Sequence, residues 1–549
     1  MIKLGRRKAR SGSEPGKPAE AGTGDGSPIE RVGHWVDDRL GVSKFTRSAL
    51  DKIFPDHWSF MIGEIALYCF VILLATGSYL TFFFSASEKQ VVYHGSYKPL
   101  QGVAMSDAYR SVVDISFKVR SGLVMRQIHH CAAVVFLAAI VVHLARVFFT
   151  GAFRRPREIN WIIGVTLLLL AMANGFTGYS LPDDLLSGTG LRIAYSIVLS
   201  VPFVGSWLGY LLFGGRFPGT SIIERLFIIH VLFIPALIAV TLTAHMAILW
   251  HQKHTDFAGP GKSEDTIHGS RLWPQYAAKS AALFCFVAAV IAGLGGLAQI
   301  NPIWIYGPYR AAAVSAGSQP DWYIGWLDGA LRVMPPLEIR LFHHTIANPF
   351  FPGVVMPGIT FALLYAWPFL EQRFSKDKAP HNLLDRPRDR PLRTAFGVST
   401  ITFYFVLFMA AGTDVFASTF GLSFQSLLVV FQFSLIIAPP LFGWLTWRLL
   451  KELSTQRAHP IQQPVGGRIV RTASGGYEVV GGEADGDGPA GGSALTPAGP
   501  APGPDPASGR DPGPTPEPEP AGAATDTADA ERAAAEPAGA AADRTPGSP

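Results

Sequence analysis

Eight stretches of predominantly apolar residues punctuate this sequence, each about as long as the 20-residue helix that a bilayer core requires. They run roughly over 58–84, 119–150, 158–180, 221–250, 277–300, 353–373, 395–415 and 424–450. Lipid offers no hydrogen-bond partner to a bare backbone, so each stretch must satisfy its own peptide groups as a helix. The expected fold class is an all-α membrane protein with eight transmembrane helices. Composition agrees, because 16% of residues are charged, against about 25% in a typical soluble domain.

Charge sets the orientation. From Glu483 onward the chain holds twelve acidic and three basic residues, a balance of −9, which leaves +14 on the remainder. That excess is what cytoplasmic loops of membrane proteins collect, so it gives no sign of nucleic-acid binding. Arg146, Arg154, Arg155 and Arg157 fall between helices two and three. Seven more basic residues fall between helices six and seven, from Arg373 to Arg393. Both loops join an even helix to an odd one, so they share a side. The 181–220 loop, with only Arg192 and Arg216 as basic residues, lies opposite. Both termini are therefore expected in the cytoplasm, in a multi-pass protein of the cell membrane.

Four segments follow. Residues 1–33 read as a disordered cytoplasmic arm, with a short interfacial helix expected over 34–56. Residues 34–252 form an N-terminal four-helix membrane bundle. Residues 253–454 form a C-terminal membrane domain of four helices. Its 301–352 loop carries Trp304, Tyr306, Tyr309, Trp322, Tyr323 and Trp326 and should pack rather than float. Residues 455–549 are an acidic Pro/Ala/Gly-rich tail that cannot bury enough apolar surface to fold alone. Cys69, Cys131 and Cys285 are scattered through apolar runs, which supports neither a disulfide framework nor a CxxCH haem attachment.

The second helix contains His129 and His143, 14 residues apart. At about 3.6 residues per turn these rings face one way, roughly 21 Å apart along the axis. The fourth helix contains His230 and His245, 15 apart, with Pro235 between them to kink the helix and restore the facing. Intramembrane histidines are rare and usually functional. Antiparallel pairing sets His129 opposite His230 and His143 opposite His245, the ligand pairs of two bis-histidine haems. Gly63 and Gly77 on the first helix, and Gly164 and Gly178 on the third, repeat the spacing of 14. Glycine lets a flat macrocycle approach the backbone. The first four helices are thus expected to form a di-haem bundle. Arg126 and Arg146 stand three residues outside the histidines of the second helix, placed for haem propionates. A lone membrane histidine is as readily a proton relay or a helix–helix hydrogen bond. Four in matched pairs, with matching glycines, are not explained that way. His130 points away from this direction and reads as structural.

On these residues the chain resembles the cytochrome b family of bc-type complexes, over roughly residues 55–450, in an undivided, actinobacterial-type form. The strongest stretch runs from Gly151 to Pro182, followed by the helix carrying His230 and His245. The 15-residue spacing is similar to the chloroplast-type branch. That branch's covalent haem needs a cysteine where Phe60 and Met61 stand here, so the two b haems are expected to be non-covalent. Pro320-Asp321-Trp322-Tyr323 resembles the PEWY motif of the quinol-oxidation site, with Asp for Glu. Tyr179-Ser180-Leu181-Pro182 resembles the start of the loop closing that site, but continues with Asp183 and Asp184 instead of Trp and Gly.

The resemblance implies a subunit of a respiratory quinol–cytochrome c reductase, a proton-translocating enzyme of class EC 7.1.1.8. Asp321 and Tyr323 would act on quinol, menaquinol in an actinobacterial chain, with Tyr179, Pro320 and Trp322 lining the site. The cluster His251-Gln252-Lys253-His254-Thr255-Asp256 would supply His251, Lys253, His254 and Asp256 to an inner quinone site. Implied partners are a Rieske iron–sulfur subunit, a cytochrome c subunit, a cytochrome oxidase in a supercomplex, membrane lipid, and a second copy in a dimeric complex. Two rivals stand beside this reading: a di-haem conduit to another enzyme, and a haem-free transporter.

Overall fold

The computed structural model describes residues 27–266, 268–313, 319–341, 344–458, 468–471 and 477–480. Among them, eight helices are long and apolar enough to cross a membrane: Trp58–Thr81, Gly122–Thr150, Glu158–Tyr179, Ile222–Gln252, Leu272–Leu297, Phe351–Ser375, Pro391–Ala411 and Phe424–Ser454. The protein is an all-α multi-pass membrane protein, and we number these membrane helices one to eight. Helix two ends at Gly151, whose φ of 65° supplies the left-handed turn that caps a helix without a Cβ penalty.

Proline shapes three of the spans. Helix four contains a π turn over Ile229–Phe233, immediately before Pro235. Helices five and six begin with similar turns at Leu272–Tyr276 and Phe351–Val355, each containing a proline. A ring without an N–H cannot close the ordinary bond to the preceding turn, and a wider turn absorbs the mismatch.

Helix one packs on helices two and five, and helix four on helix three. Helices seven and eight pack together, with the short helix Trp322–Val333 against helix seven. Small residues set the close approaches. A Cβ on Gly295 of helix five would stand 2.7 Å from Ile128 of helix two, and one on Gly329 would strike the Leu407 carbonyl.

The N-terminal segment holds two helices, Pro28–Leu40 and Val42–Leu50, broken at Gly41 with φ 59°. The first begins inside the arm expected over 1–33; residues 1–26 lie outside the described residues. Helix eight continues to Ala458, into the start of the expected tail. Farther on, Arg468–Arg471 and Tyr477–Val480 pair as antiparallel strands in a separate unit. The rest of that tail lies outside the described residues.

The loops order the two ends. The aromatic loop folds as expected of it, with helices Ile303–Tyr306 and Trp322–Val333 and a strand pair Ile339–Leu341 with His344–Ile346. It is stitched to the loop after helix three by Leu185 N–H to Gly307 O at 2.9 Å and Tyr309 N–H to Asp183 O at 3.0 Å. At the opposite end the two basic loops meet. Arg154 donates to Leu383 O at 3.0 Å and Arg157 to His381 O at 2.8 Å.

Arg393 lies at that end with its side chain 4% exposed, held by Glu371 at 2.9 Å and Asp385 at 2.9 Å. Removing one partner of a buried ion pair leaves an uncompensated charge and costs about 3–5 kcal/mol. Arg393→Ala is expected to lower the thermal unfolding midpoint of the solubilised protein sharply. Arg388→Ala, which removes a half-exposed pair with Asp389, should leave it nearly unchanged.

Candidate functional site

The four histidines form two facing pairs inside the first four helices. The rings of His129 and His230 lie 6.2 Å apart, centroid to centroid, at 78°. They border a cavity of about 280 Å³ with Gly77, Gly178 and Arg126. His143 and His245 border a second cavity of about 220 Å³ with Gly63, Gly164 and Arg146. Phe136 and Ile238 line both and form the partition between them.

The glycines face the imidazoles. A Cβ on Gly63 would stand 3.1 Å from the His143 ring, one on Gly77 3.1 Å from His129, and one on Gly164 3.7 Å from His245. One on Gly178 would overlap the His230 ring. The two helix pairs repeat in sequence. Gly63, Thr76, Gly77 and His129 recur 101 residues later as Gly164, Thr177, Gly178 and His230. His143 recurs 102 later as His245. The additional residue coincides with the π turn at Ile229–Phe233. The 15-residue spacing is therefore accommodated by a local widening of the helix next to Pro235, where a kink was expected.

Hydrogen bonding prepares the rings of the first pair as ligands, whereas Nδ1 of His143 and of His245 has no hydrogen-bond partner among the described residues. His230 donates from Nδ1 to Asn174 O at 3.0 Å, which leaves Nε2 for a metal. His129 Nδ1 lies 2.9 Å from Thr76 Oγ1. That hydroxyl already donates to Ile72 O at 2.7 Å, so it accepts from the imidazole. Arg126 and Arg146 each bury Nε and Nη2 with no hydrogen-bond partner among the described residues. Unsatisfied buried guanidinium nitrogens are costly and call for an anionic group. Imidazole pairs, glycine faces and orphaned arginines together fit two haems with their propionates.

Asp321 also lines the first cavity, at the start of helix Trp322–Val333. Its carboxylate meets His130 Nε2 at 2.9 and 3.0 Å, and accepts from Tyr323 OH at 3.3 Å and Asn301 Nδ2 at 3.5 Å. His130 lines the same cavity as His129, and its partner is the motif carboxylate, so it belongs to this site rather than to the packing. Tyr323 is buried, its ring against Gly175. Burial, then the Asp321 charge, pushes its phenol well above the ordinary range. Tyr179 lines the same cavity. Trp322 donates to Val134 O at 3.3 Å, which fixes the motif against helix two. Pro320 is partly buried just ahead of it.

The cluster after helix four is narrowed. His254 lines the second cavity; His251 and Lys253 are exposed. Lys253 adopts φ 64° just past the helix end, which turns the chain inward at His254. Asp256 is buried in a different contact, 2.7 Å from Lys262 and 3.2 Å from His268. Burial, then the Lys52, Arg157 and Arg146 charges, hold His254 down to about 4, so it is neutral at physiological pH.

Glu64 is a further group, unmarked in the sequence reading, at the second cavity. It accepts from Tyr68 at 2.7 Å, Ser280 at 2.9 Å and Tyr276, tying helix one to helix five. A lone carboxylate inside an apolar span was its available signal.

Residues 134–308 match the family profile described as Cytochrome b(N-terminal)/b6/petB. The chain is 53% identical over 424 residues to a protein of Mycobacterium tuberculosis, covering 77% of each chain. It is 50% identical over 410 residues to one of Streptomyces coelicolor, covering 75% of each. A protein of Corynebacterium diphtheriae is 48% identical over 421 residues, covering 77% of this chain and 78% of that one. All three are named cytochrome bc1 complex cytochrome b subunit. Among solved structures, a chain of a hyperthermophilic respiratory Complex III matches with a TM-score of 0.56 at 19% identity. That match covers 75% of this chain and 99% of that one, and it supports the fold.

Gly178→Val would drive a branched side chain into the His230 ring. The expected result is loss of the b-type absorbance from the first cavity, read in a reduced-minus-oxidised spectrum. Gly293→Val, where a Cβ meets nothing within 4 Å, should leave the spectrum intact.

Proposed function

The chain belongs to the cytochrome b family of bc1-type complexes, respiratory electron-transfer subunits, and from that premise we propose that it oxidises quinol at one membrane face and reduces quinone at the other. The observation that carries this reading is the pair of histidine-bordered cavities, one of which also contains the hydrogen-bonded Asp321. On the positive-inside rule, which the basic loops support, we read that cavity as facing outward in the cell membrane with both termini in the cytoplasm.

His129 with His230, and His143 with His245, would hold two b haems, which when bound would supply one-electron chemistry between the faces. Arg126 and Arg146 would neutralise their propionates. The protein's own groups handle the protons. Asp321 accepts a proton from a quinol hydroxyl at the outer cavity. His130, Asn301 and Tyr323 hold that carboxylate in place, while Tyr179, Pro320 and Trp322 shape the pocket around the ring. One methylene shorter than Glu, Asp321 reaches the substrate from a fixed helix start rather than by a long swing. His254 is the proton-handling group at the inner cavity; being neutral, it takes up a proton only as negative charge develops beside it.

Quinol loses two electrons and two protons in this reaction. One electron would leave through a Rieske iron–sulfur subunit to a cytochrome c subunit, and the other would cross to the inner face. Protons are released outside and taken up inside, which makes the complex a proton-translocating quinol–cytochrome c reductase. In keeping with the actinobacterial relatives, the quinol is menaquinol. The complex is a dimer that can join a cytochrome oxidase in a supercomplex.

Asp321→Asn is expected to slow quinol oxidation by the assembled complex about 10²–10⁴-fold, the usual contribution of a positioned acid–base group. An unchanged rate would sink the outer site and leave a di-haem conduit. His230→Ala should remove one haem by pyridine haemochrome while the other remains. A spectrum with no b-type bands in the parent protein would end the haem assignment.

A further inference from the structure

A second carboxylate borders the outer cavity. Asp184 is 3% exposed and starts the helix Leu185–Leu199. Its Oδ1 accepts from the Ser187 hydroxyl at 2.5 Å and the Ser187 N–H at 3.4 Å. Its Oδ2 is buried with no hydrogen-bond partner among the described residues. The cap does not account for this oxygen, because Asn or Ser would cap as well as Asp. Nor does an ion pair: Arg126 lines the same cavity, but no salt bridge joins the two among the described residues. A buried carboxylate oxygen beside a cavity and without a hydrogen-bond partner is costly unless something there uses it.

Two more carboxyl groups lead outward from it. Asp183 follows Pro182 with φ 52° and bonds Ser106. Glu88 accepts from the Ile222 N–H at 2.9 Å, at the start of helix four. Asp183 and Glu88 are only partly buried, so the series runs from interior to surface. Burial pushes Asp184 up to about 6. Burial, then the Asp184 charge, raises Asp183 to about 6. Burial, then the Asp183 and Glu224 charges, raises Glu88 to about 7. The groups near Asp184 are Arg126, Tyr109, Tyr179 and Tyr306. Of these only Arg126 is charged, and it favours the carboxylate. Tyr309 faces Asp183. All three carboxyls can therefore both take and release a proton near neutral pH.

We propose that Asp184, Asp183 and Glu88 form a proton-exit relay that clears the outer cavity after each quinol oxidation. The relay rests on the outer-site reading above and adds the step that follows it. Protonated Asp321 loses its proton through cavity water, and an O–H bond forms at Asp184 Oδ2. The proton then moves to Asp183, to Glu88 and to bulk water. Each carboxylate returns to its starting charge, and no electron passes through the relay. Asp321 is reset for the next quinol.

The test uses the assembled complex with Asp184→Asn and Glu88→Gln. Both substitutions keep an oxygen acceptor, for Ser187 and for the Ile222 N–H. First-turnover quinol oxidation in rapid mixing should be unchanged in each, because Asp321 is intact. Steady-state oxidation should fall about tenfold or more in Asp184→Asn. In the parent complex the steady-state rate should decline as pH falls through about 7 to 6, as Glu88 and then the aspartates fill with protons. In Glu88→Gln the limb near 7 should disappear.

Wild-type steady-state rates and pH profiles in both variants would overturn the relay while leaving the outer site standing, provided Asp321→Asn slows the first turnover as expected above. A first turnover untouched by Asp321→Asn would overturn the outer site and the relay with it. Loss of haem absorbance in Asp184→Asn, together with wild-type behaviour of Glu88→Gln, would make Asp184 a structural cap and reject the relay.

Discussion

Each of the four intramembrane imidazoles lies against a stretch of neighbouring helix that has no side chain. This facing of ring and glycine is the constraint on which the rest of the arrangement depends. An imidazole left in lipid would be an unsatisfied polar group, and one packed against an ordinary side chain would leave no gap for a flat ligand. The glycines at positions 63, 77, 164 and 178 resolve both problems at once. They also fix which helices can be neighbours: one must face two, and three must face four. The offset of 101 residues between the helix pairs shows the same solution used twice. Where the spacing slips by one residue, the backbone takes up the slack as a π turn instead of moving the ring off its glycine.

Much of this was legible in the sequence because lipid simplifies the code. Eight apolar runs became eight spans, with ends shifted by no more than five residues. The histidine and glycine spacings became facing pairs because a helix converts spacing into direction. What was not legible depended on contacts between distant segments. His130 looked structural because its partner, Asp321, is 191 residues away. The polar run after helix four read as one cluster, yet a single residue with positive φ, Lys253, sends His254 inward while Asp256 turns to Lys262. Glu64 was passed over because its three hydroxyl partners lie on two helices that the sequence does not pair.

The C-terminal half contributes to the first cavity chiefly through one carboxylate and its supports. Asp321 begins a short helix wedged against helix seven by the close approach of Gly329 to Leu407. Trp322 anchors that start to helix two. The carboxylate is thereby held by rigid elements from both halves, which suits a group that must meet a substrate within hydrogen-bond distance. Reading the short motif as a turn would miss this, because a turn needs no contact with the histidine helix.

The charges of the two cavities are opposite in sense. The first is bordered by Asp184, Asp321 and a single guanidinium, Arg126. The second is bordered by Arg146, Arg157 and a single carboxylate, Glu64. In a low-dielectric interior such differences act strongly on any charge that forms nearby. Carboxylates stabilise positive charge, such as a departing proton, beside them, whereas guanidiniums stabilise negative charge. The repeat relates helices one and two to helices three and four, so it makes the two sides of each cavity alike. The difference between the two cavities comes from groups outside the repeat. Asp321 enters from a distant loop, Asp184 stands just beyond the Tyr179 end of helix three, and Arg157 sits just ahead of that same helix.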